Sequence, residues 1–417
     1  MTLYREIQGC RICGNRELDL ILELGNMALT GIFPKTREEE VPVGPLTLVK
    51  CRESSNEDYC GLVQLREIYN PDIMYGQNYG YRSGLNKSMV DHLHNKVKKI
   101  LGHITINQGD IVVDIGSNDS TLLRAYPKEE ATLVGFDPTG AKFEKYYPKH
   151  ITLFVNFFNY KTFKNKFGNK KARIITSIAM FYDLDEPLKF AREIFDILSD
   201  DGIWVFEQSY MPFMLEANSF DTICHEHQEY YRLKEINWMM KKVGFKIVDV
   251  EFNQVNGGSF SVTVAKPSSP LPETPNLLKL LADEKNKGLS TNKPYDDFRT
   301  RIYEFKSNLR QLLDKIKREK GLILGYGAST KGNVLLQFTG ITSKDIPYVG
   351  EVNTDKFGCF TPGTLIPIIS EDEARGMHPD YFFVFPWHFK DFIVKKEKSD
   401  LEQDFSLLFP LPSIEII

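Results

Sequence analysis

Two acidic residues each follow an apolar run of the sequence. Carboxylates that bind nucleotides in α/β proteins occupy such positions, at the ends of buried strands. Asp114 lies in Val112-Val113-Asp114-Ile115-Gly116, which predicts a buried strand turning sharply into a helix. Asp137 ends the next run, 133–136, where α/β nucleotide folds place the acid that binds ribose hydroxyls. The intervening loop has no Gly-x-Gly-x-x-Gly and no Lys-Ser/Thr, so a cofactor with ribose and no pyrophosphate, S-adenosylmethionine, fits best. The alternative is an ordinary βα turn. The residues predicted to bind the cofactor are Asp114, Gly116, Ser117, Asn118, Asp137, Pro138 and Ser177.

Four of the six cysteines crowd the first sixty residues. Cys10-x-x-Cys13 is followed by a glycine, and such a turn aims two thiolates at one ion. The second pair is separated by a polar insertion that can loop out. The alternative is four reduced cysteines in a small domain, and Cys224 and Cys359 stand alone. We predict a tetrahedral zinc site, structural because four thiolates leave no open position for chemistry, formed by Cys10, Cys13, Cys51 and Cys60.

The densest group of titratable residues is the stretch 220–231, which contains His225, Glu226 and His227. A His-x-His pair around a carboxylate could bind metal, but the His-Glu-x-x-His spacing is absent. The alternative is acid–base chemistry, because imidazole titrates near neutral pH and neighbouring Glu or Tyr side chains tune it. A second run, 74–84, gathers tyrosines and glycines without apolar periodicity, which indicates a ligand-facing loop, although each tyrosine alone would more often be a rim or core residue.

Length and composition bound the class of protein. At 417 residues the chain exceeds what one core usually supports, so two or three domains are expected. A hydrophobic content of 42% and a charged content of 26% are typical of a globular protein. The net charge of −4, without a basic tract, gives no indication of a nucleic-acid partner. No apolar signal core and no run of about 18 apolar residues is present, which predicts a cytoplasmic protein without a membrane partner.

The predicted fold class is α/β, because strand and helix signals alternate along most of the chain. The predicted segments are a cysteine-bearing region 1–70, an α/β region 71–266, a linker and helical segment 267–318, and a final α/β unit 319–417. A helix is predicted at 188–198, ending in a turn at 199–202. Strands are predicted at 111–113, 132–136, 151–154, 173–175, 203–206 and 260–265.

Seven distinctive blocks run in order over essentially the whole chain: Cys10-x-x-Cys13, 60–65, 114–119, 221–227, 256–259, 325–332 and 361–367. Through them the chain resembles the sugar C-methyltransferase family, whose members methylate a carbon of nucleotide-linked 4-keto-6-deoxysugars. The resemblance implies a small N-terminal zinc-binding domain, a central class I S-adenosylmethionine-dependent methyltransferase domain with a Rossmann-like sheet, and a C-terminal Rossmann-like domain. It implies S-adenosylmethionine and structural Zn²⁺ as cofactors and a nucleotide-linked keto-deoxysugar as substrate.

The resemblance also implies a mechanism. A ketone at sugar C4 acidifies the proton on C3, a base removes it, and the carbanion attacks the sulfonium methyl group. His227 matches the base position and Glu226 is its neighbour, while His225 and Tyr79 are the other catalytic candidates. The oxyanion donor stays open among Tyr79, Tyr81 and His225. The residues implied to bind substrate are Tyr81, Ser83, Asn256 and Lys331.

Two departures from the family pattern leave alternatives open. Many members carry tyrosine where this chain has Cys224, and the Cys51–Cys60 spacing is long. The first leaves O- or N-methylation of a nucleotide sugar, or a protein that binds S-adenosylmethionine without catalysis, as alternatives. The nucleotide (dTDP or GDP), the sugar stereochemistry and the choice between a monomer and a small homo-oligomer also stay open.

The C-terminal block Gly325-Tyr-Gly-Ala-Ser-Thr-Lys-Gly332 has three interpretations. It departs from Gly-x-Gly-x-x-Gly, although Glu351 follows as a ribose-binding acid would, so a second dinucleotide site is one interpretation. A second, which the resemblance favours, is a domain that helps to hold the sugar nucleotide with Lys331 near its phosphates. The third is a structural turn.

Overall fold

The computed structural model describes residues 2–53, 59–75, 80–398 and 404–417. Its helices are α1 Pro71–Met74, α2 Lys87–His103, α3 Gly140–Phe143, α4 Tyr160–Phe167, α5 Pro187–Ile197, α6 Met211–Glu216, α7 Leu233–Val243, α8 Leu277–Asn286, α9 Lys293–Arg318, α10 Thr330–Thr339, α11 Glu371–Gly376 and α12 Lys390–Lys398. Its strands are β1 Tyr4–Glu6, β2 Leu18–Ala28, β3 Val43–Cys51, β4 Val63–Leu65, β5 Glu67–Tyr69, β6 Asp110–Ile115, β7 Ala131–Phe136, β8 Ile151–Phe154, β9 Ala172–Ile178, β10 Leu198–Ser209, β11 Glu229–Tyr230, β12 Lys246–Asn253, β13 Ser259–Ala265, β14 Ile323–Tyr326, β15 Val349–Glu351, β16 Ile368–Ser370, β17 Tyr381–Val384, β18 Ser406–Phe409 and β19 Glu415–Ile416. Among the described helices, none is long and apolar enough to span a bilayer.

A seven-stranded sheet forms the centre of the molecule, in the order β8-β7-β6-β9-β10-β13-β12. Neighbours from β8 to β10 are parallel, and β13 is antiparallel to β10 and β12.

The six predicted strands lie inside β6, β7, β8, β9, β10 and β13, and the predicted helix 188–198 corresponds to α5. The turn predicted at 199–202 is wrong. Strand β10 already begins at Leu198, and a register shift against β9 between Leu198 and Ile203 absorbs the extra residues as a bulge.

Helices cover both faces of this sheet, which is why its strands are apolar on both sides. Val113, Ile175 and Phe206 pack in one buried layer with α5 and α7. Their chain neighbours Val112 and Ile174 pack in the opposite layer with α2. The strand order reverses at β6, which lies between β7 and β9. Ligands bind at such a switch point, in the crevice beyond the carboxyl ends of the strands.

The cysteine-bearing region forms a second sheet, in the order β11-β4-β3-β2. Its edge strand, Glu229–Tyr230, comes from the predicted 71–266 segment and pairs with β4. On the opposite side Gln337 of α10 binds Ala28 of β2 twice: its Oε1 accepts the Ala28 N–H at 2.8 Å and its Nε2 donates to the Ala28 carbonyl at 3.2 Å. This sheet therefore holds the segment immediately after His227.

A third sheet lies at the C-terminal end of the chain, in the order β16-β15-β14-β17-β18-β19. All its neighbouring strands are parallel except β18 and β19. Its buried core joins side chains of α9 and α10, such as Leu309 and Val334, to those of the second sheet, such as Leu48. The second and third sheets thus share one hydrophobic core around α9 and α10.

Candidate active site

A cavity of about 310 Å³ opens where β6, β7, β9 and β10 end. Six of the seven predicted cofactor residues line it: Asp114, Gly116, Ser117, Asn118, Asp137 and Pro138. Three of the four predicted substrate residues also line it: Tyr81, Ser83 and Asn256. The switch point of the central sheet and the predicted polar residues therefore coincide.

The loop after β6 is held in a conformation that exposes its backbone to the cavity. Gly116 has a φ of +76°, and a Cβ there would lie 3.1 Å from the Met180 side chain. The Gly116 N–H donates to the Phe136 carbonyl at 2.8 Å, and the Asn118 N–H donates to the Asp137 carboxylate at 2.8 Å. These two hydrogen bonds hold the loop after β6 against the end of β7. A larger residue at Gly116 would strain the backbone of the β6 loop.

The two strand-end acids differ in their partners. Asp137 accepts hydrogen bonds from the Thr139 N–H at 2.7 Å and the Thr139 hydroxyl at 2.5 Å. Asp114 accepts one from the Thr176 hydroxyl at 2.6 Å, and burial raises the pKa of Asp114 to about 7. A cationic ligand beside Asp114 would favour its ionised form. Two carboxyl groups at neighbouring strand ends and the glycine loop between them fit S-adenosylmethionine.

The side chain of Ser177 lies outside the cavity. Side chains alternate along a strand, and the Ser177 hydroxyl instead accepts a hydrogen bond from the Trp204 indole N–H at 3.2 Å in the buried layer. Placing Ser177 among the cavity residues overlooked this alternation.

The tyrosine-rich segment meets the cofactor loop through its backbone. The Asn118 side-chain oxygen accepts the Ser83 N–H at 2.9 Å, and the Asn118 amide donates to the Tyr81 carbonyl at 3.2 Å. Tyr79, a predicted catalytic residue, lies outside the described residues.

His227 is a half-buried imidazole with a fixed tautomer. Its Nδ1–H donates to the Thr222 carbonyl at 2.8 Å, and its ring packs edge-on against Tyr182, with the centroids 4.5 Å apart. Burial lowers the pKa of His227 to about 4, so the ring is neutral at pH 7. With Nδ1 carrying the proton, the lone pair lies on Nε2, which has no hydrogen-bond partner in the described part of the chain. This is the arrangement of a general base.

His225 and Glu226 have different surroundings from His227. His225 is fully buried with its ring edge-on to Tyr69, the centroids 4.8 Å apart, and burial lowers its pKa to about 4. Glu226 lies near Thr30, whose hydroxyl donates to it at 3.4 Å, and burial raises the pKa of the Glu226 carboxyl group. His225, Glu226 and His227 are all absent from the residues that line the cavity, although Gln228, the next residue in the chain, is one of them. His225 and Glu226 anchor the loop to the N-terminal region.

Lys331 approaches His227 from the C-terminal sheet. It occupies the first turn of α10, and its ammonium group donates to the backbone carbonyl of Asn256 at 2.8 Å. Burial lowers the pKa of Lys331 and the Asp221 carboxylate opposes that shift, while the Lys331 charge further lowers the pKa of His227. The Asp221 carboxylate also accepts the Trp387 indole N–H at 2.7 Å. Lys331 and His227 are therefore close enough for the charge of one to act on the other, and each adjoins a residue of the cavity wall: Asn256 is the partner of Lys331, and Gln228 follows His227.

Several residues of the cavity wall escaped the sequence reasoning. Glu207 binds Lys96 at 2.8 Å and His92 at 2.5 Å, and these partners outweigh burial, lowering its pKa to about 2. Gln208 and Gln228 line the same cavity. Glu207 and Gln208 follow the apolar run 203–206, as Asp114 ends an apolar run. The same sequence pattern could therefore have predicted that these two residues lie at the cavity.

The four N-terminal cysteines form one cluster. Their sulfur atoms all lie within 4.8 Å of one another, with Cys10–Cys60 at 3.4 Å and Cys13–Cys51 at 3.5 Å. A tetrahedral site with Zn–S bonds of about 2.3 Å has sulfur atoms about 3.8 Å apart. The cluster fits structural zinc.

The C-terminal glycine loop after β14 is held by hydrogen bonds to the carboxylate of Glu351. Glu351 accepts the N–H groups of Ala328, Val352 and Asn353, each at 2.8 Å. Its carboxylate joins the loop after β14 to the end of β15, as the Asp137 carboxylate joins the loop after β6 to the end of β7.

Three family models match the chain in succession. They are described as "Putative zinc binding domain" over residues 10–75, "Methyltransferase domain" over 88–250 and "C-methyltransferase C-terminal domain" over 254–412. The C-methyltransferase NovU of Streptomyces niveus is 27% identical over 427 residues, which span 100% of this chain and 98% of that protein. The succession of these domains and the full-length similarity to NovU support an S-adenosylmethionine-dependent C-methyltransferase.

This C-methyltransferase has the predicted α/β architecture, and S-adenosylmethionine and zinc are its cofactors. An S-adenosylmethionine dependent methyltransferase from Mesorhizobium loti is similar over 42% of this chain and 99% of its own, with 13% identity and a TM-score of 0.34. A Burkholderia thailandensis 1,6-didemethyltoxoflavin-N1-methyltransferase is similar over 42% and 77%, with 11% identity and a TM-score of 0.32.

Proposed function

We propose that this C-methyltransferase methylates C3 of a nucleotide-linked 4-keto-6-deoxysugar, with dTDP or GDP as the nucleotide. The observation that carries the proposal is the His227 imidazole, neutral at pH 7 and with its Nδ1–H bound to the Thr222 carbonyl. A carbon nucleophile requires a base, because a C–H group must lose its proton before it can attack. The ketone at C4 makes the C3 proton acidic enough for an imidazole.

In the proposed reaction His227 Nε2 takes the proton from C3 of the sugar, and the electron pair of that C–H bond becomes an enolate with its charge on the C4 oxygen. We assign the stabilisation of that oxygen to the Lys331 ammonium group, because its charge acts on His227 and it is held at Asn256 of the cavity wall. S-adenosylmethionine, when bound, supplies the methyl group. C3 of the enolate would form its bond to that methyl carbon as the methyl–sulfur bond breaks, with the sulfur keeping the electron pair and leaving as S-adenosylhomocysteine. The C4 ketone re-forms, and His227 holds the C3 proton until solvent removes it.

Cys224 is not needed in this scheme. Its thiol is buried, and burial raises its pKa well above the ordinary value, so the group stays protonated at neutral pH. The backbone at His227 is held by Tyr230, whose hydroxyl donates a hydrogen bond to the His227 carbonyl at 3.1 Å. The tyrosine that many family members carry at position 224 is therefore dispensable for fixing this base.

The test is product analysis with methyl-¹³C-labelled S-adenosylmethionine and a panel of dTDP- and GDP-linked 4-keto-6-deoxysugars. The proposal expects a ¹³C resonance of a methyl group bonded to carbon for one panel member. The matched control is the same nucleotide sugar reduced to the 4-hydroxy form, which lacks an acidic C3 proton and should not react. A methyl group on oxygen or nitrogen, or methylation of the reduced control, would replace this function with O- or N-methylation. No transfer to any panel member would overturn the substrate class.

A further inference from the structure

Two glutamines in the cavity wall bury amide atoms that have no hydrogen-bond partner. Gln208 is 1% exposed, and neither its Oε1 nor its Nε2 is bonded within the described residues. Gln228 is 6% exposed; its Nε2 donates to the Asp183 carbonyl at 3.1 Å, and its Oε1 is unbonded there. Both side chains line the cavity. Among the described residues, these three amide atoms and Oδ1 of Asp183, another residue of the cavity wall, are buried without hydrogen-bond partners.

Such an arrangement is costly unless a ligand completes it. A buried polar group without a hydrogen bond destabilises a protein by about 1–3 kcal/mol. Most buried polar groups in native proteins are bonded, and exceptions call for an explanation. A bound ligand with hydroxyl groups would supply the missing partners of Gln208 and Gln228.

The position of these glutamines separates them from the cofactor ribose. Asp137 lies at the end of β7, three strands from β10, which carries Gln208. At about 4.8 Å between strands, that separation is about 14 Å. If Asp137 binds the ribose, Gln208 is too far away to contact that ribose and is left to bind another part of the ligands in this cavity.

The acceptor must meet the proposed base, His227, which adjoins the wall that contains the glutamines. Gln228 directly follows His227 in the chain, and its backbone N–H donates to the Tyr182 carbonyl at 2.9 Å. Tyr182 is the residue whose ring packs against His227. Gln208 points into the sheet face that carries Phe206, while its neighbour Glu207 faces α2 and is held there by Lys96. Gln208 therefore remains free for a ligand where Glu207 is not.

We propose that Gln208 and Gln228 form the acceptor subsite and bind neighbouring oxygen atoms of the sugar ring. The inference rests on the proposed function and adds the residues that recognise its substrate. Gln208 offers both a donor and an acceptor, which suits a hydroxyl group or a ketone. Gln228 has one of its two amide N–H groups engaged by the Asp183 carbonyl, while its Oε1 is open to a hydroxyl group of the sugar, so it selects against a sugar that lacks a hydroxyl group at that position.

The test replaces each glutamine by methionine, which is similar in length and has no amide group. Calorimetry measures binding of the unreactive 4-hydroxy nucleotide sugar in the presence of S-adenosylhomocysteine, so turnover is not required. Gln208→Met and Gln228→Met should each weaken sugar binding about tenfold or more, since one lost hydrogen bond of about 1.4 kcal/mol gives that factor. S-adenosylhomocysteine affinity should stay within about twofold in both variants. The melting temperature of Gln208→Met should be unchanged or higher because only unpartnered polar atoms are removed, whereas that of Gln228→Met should fall because the bond to the Asp183 carbonyl is lost.

The matched control is Gln337→Met, which removes an amide with both of its bonds made, to Ala28. It should lower the melting temperature and leave sugar binding intact. The subsite is overturned if the cavity variants bind sugar as this control does, or if they weaken cofactor binding and leave sugar binding unchanged. Wild-type protein that binds no nucleotide sugar would refute the proposed function and the subsite together. Sugar binding that is equal in wild type and variants would refute the subsite alone.

Discussion

The zinc site should control catalysis from a distance, and Cys13→Ser is the sharpest way to test this. Cys13 is half-buried while its three partners are buried, so serine there disturbs packing least. Structural zinc contributes about 10–16 kcal/mol to folding of small zinc domains. Divided among four thiolates, one ligand is worth roughly 3 kcal/mol, or about 10² in zinc affinity.

The effect should reach His227 through Arg11, which lies between Cys10 and Cys13. The Arg11 guanidinium donates to the Leu65 carbonyl at 2.6 Å and contacts the Glu229 carboxylate at 3.5 Å. Glu229 begins β11, two residues after His227. Loss of zinc should therefore loosen the edge strand that follows the base and lower turnover as well as stability.

The assay compares zinc content by elemental analysis, melting temperature and methyl-transfer rate in wild type, Cys13→Ser and Cys359→Ser. The last variant removes a buried cysteine outside the cluster and should keep wild-type zinc content and rate. Cys13→Ser should lose zinc to a chelator that leaves wild type loaded, melt at lower temperature and turn over more slowly. Full zinc retention would refute the four-cysteine site, and zinc loss with unchanged melting and turnover would refute the coupling.

Three further predictions concern the cavity. Asp137→Ala should weaken S-adenosylmethionine binding about tenfold or more, because it removes a ribose acceptor and the partner of the Asn118 N–H; calorimetry checks this, with the exposed Asp91→Ala as control, and unchanged affinity would contradict it. Gly116→Ala should weaken cofactor binding similarly, because its Cβ at φ +76° meets Met180; wild-type affinity would show that the loop tolerates the side chain. Because burial lowers the pKa of His227 to about 4, protonation inactivates the base only in acid. The acceptor kcat/KM at saturating cofactor should therefore be level from pH 8 to about 6 and fall toward pH 4, whereas an acidic limb near pH 6.5 would contradict the buried imidazole.

Local patterns predicted the cofactor half of the site. Asp114 and Asp137 each end an apolar strand, and parallel strands bring such ends to one edge of the sheet. The cysteine cluster was likewise detectable, since its four thiols needed only one polar insertion to loop out. Ser177 shows the limit of this reasoning, because one residue of register decides whether a strand side chain enters the cavity or the apolar layer.

The acceptor half depends on long-range packing that no local pattern encodes. Gln228 enters the cavity because β11 pairs with β4 of the N-terminal sheet, more than 150 positions away in the chain. Lys331 reaches Asn256 only because the C-terminal sheet packs against the loop before β13. His225 and His227 are two residues apart, yet His225 is fully buried against Tyr69 and His227 is half-buried against Tyr182 with its Nδ1–H bound to the Thr222 carbonyl. Their spacing alone did not distinguish them.

Proton exchange at sugar C3 tests the role of His227 most directly. In deuterated water, with S-adenosylhomocysteine in place of the methyl donor, the wild-type enzyme should exchange the C3 proton of its 4-keto sugar without methylating it. His227→Asn should lose this exchange by about 10²–10⁴-fold, the usual contribution of a general base, while binding cofactor as wild type does. Exchange in His227→Asn at the wild-type rate would contradict the assignment and show that another group removes the proton.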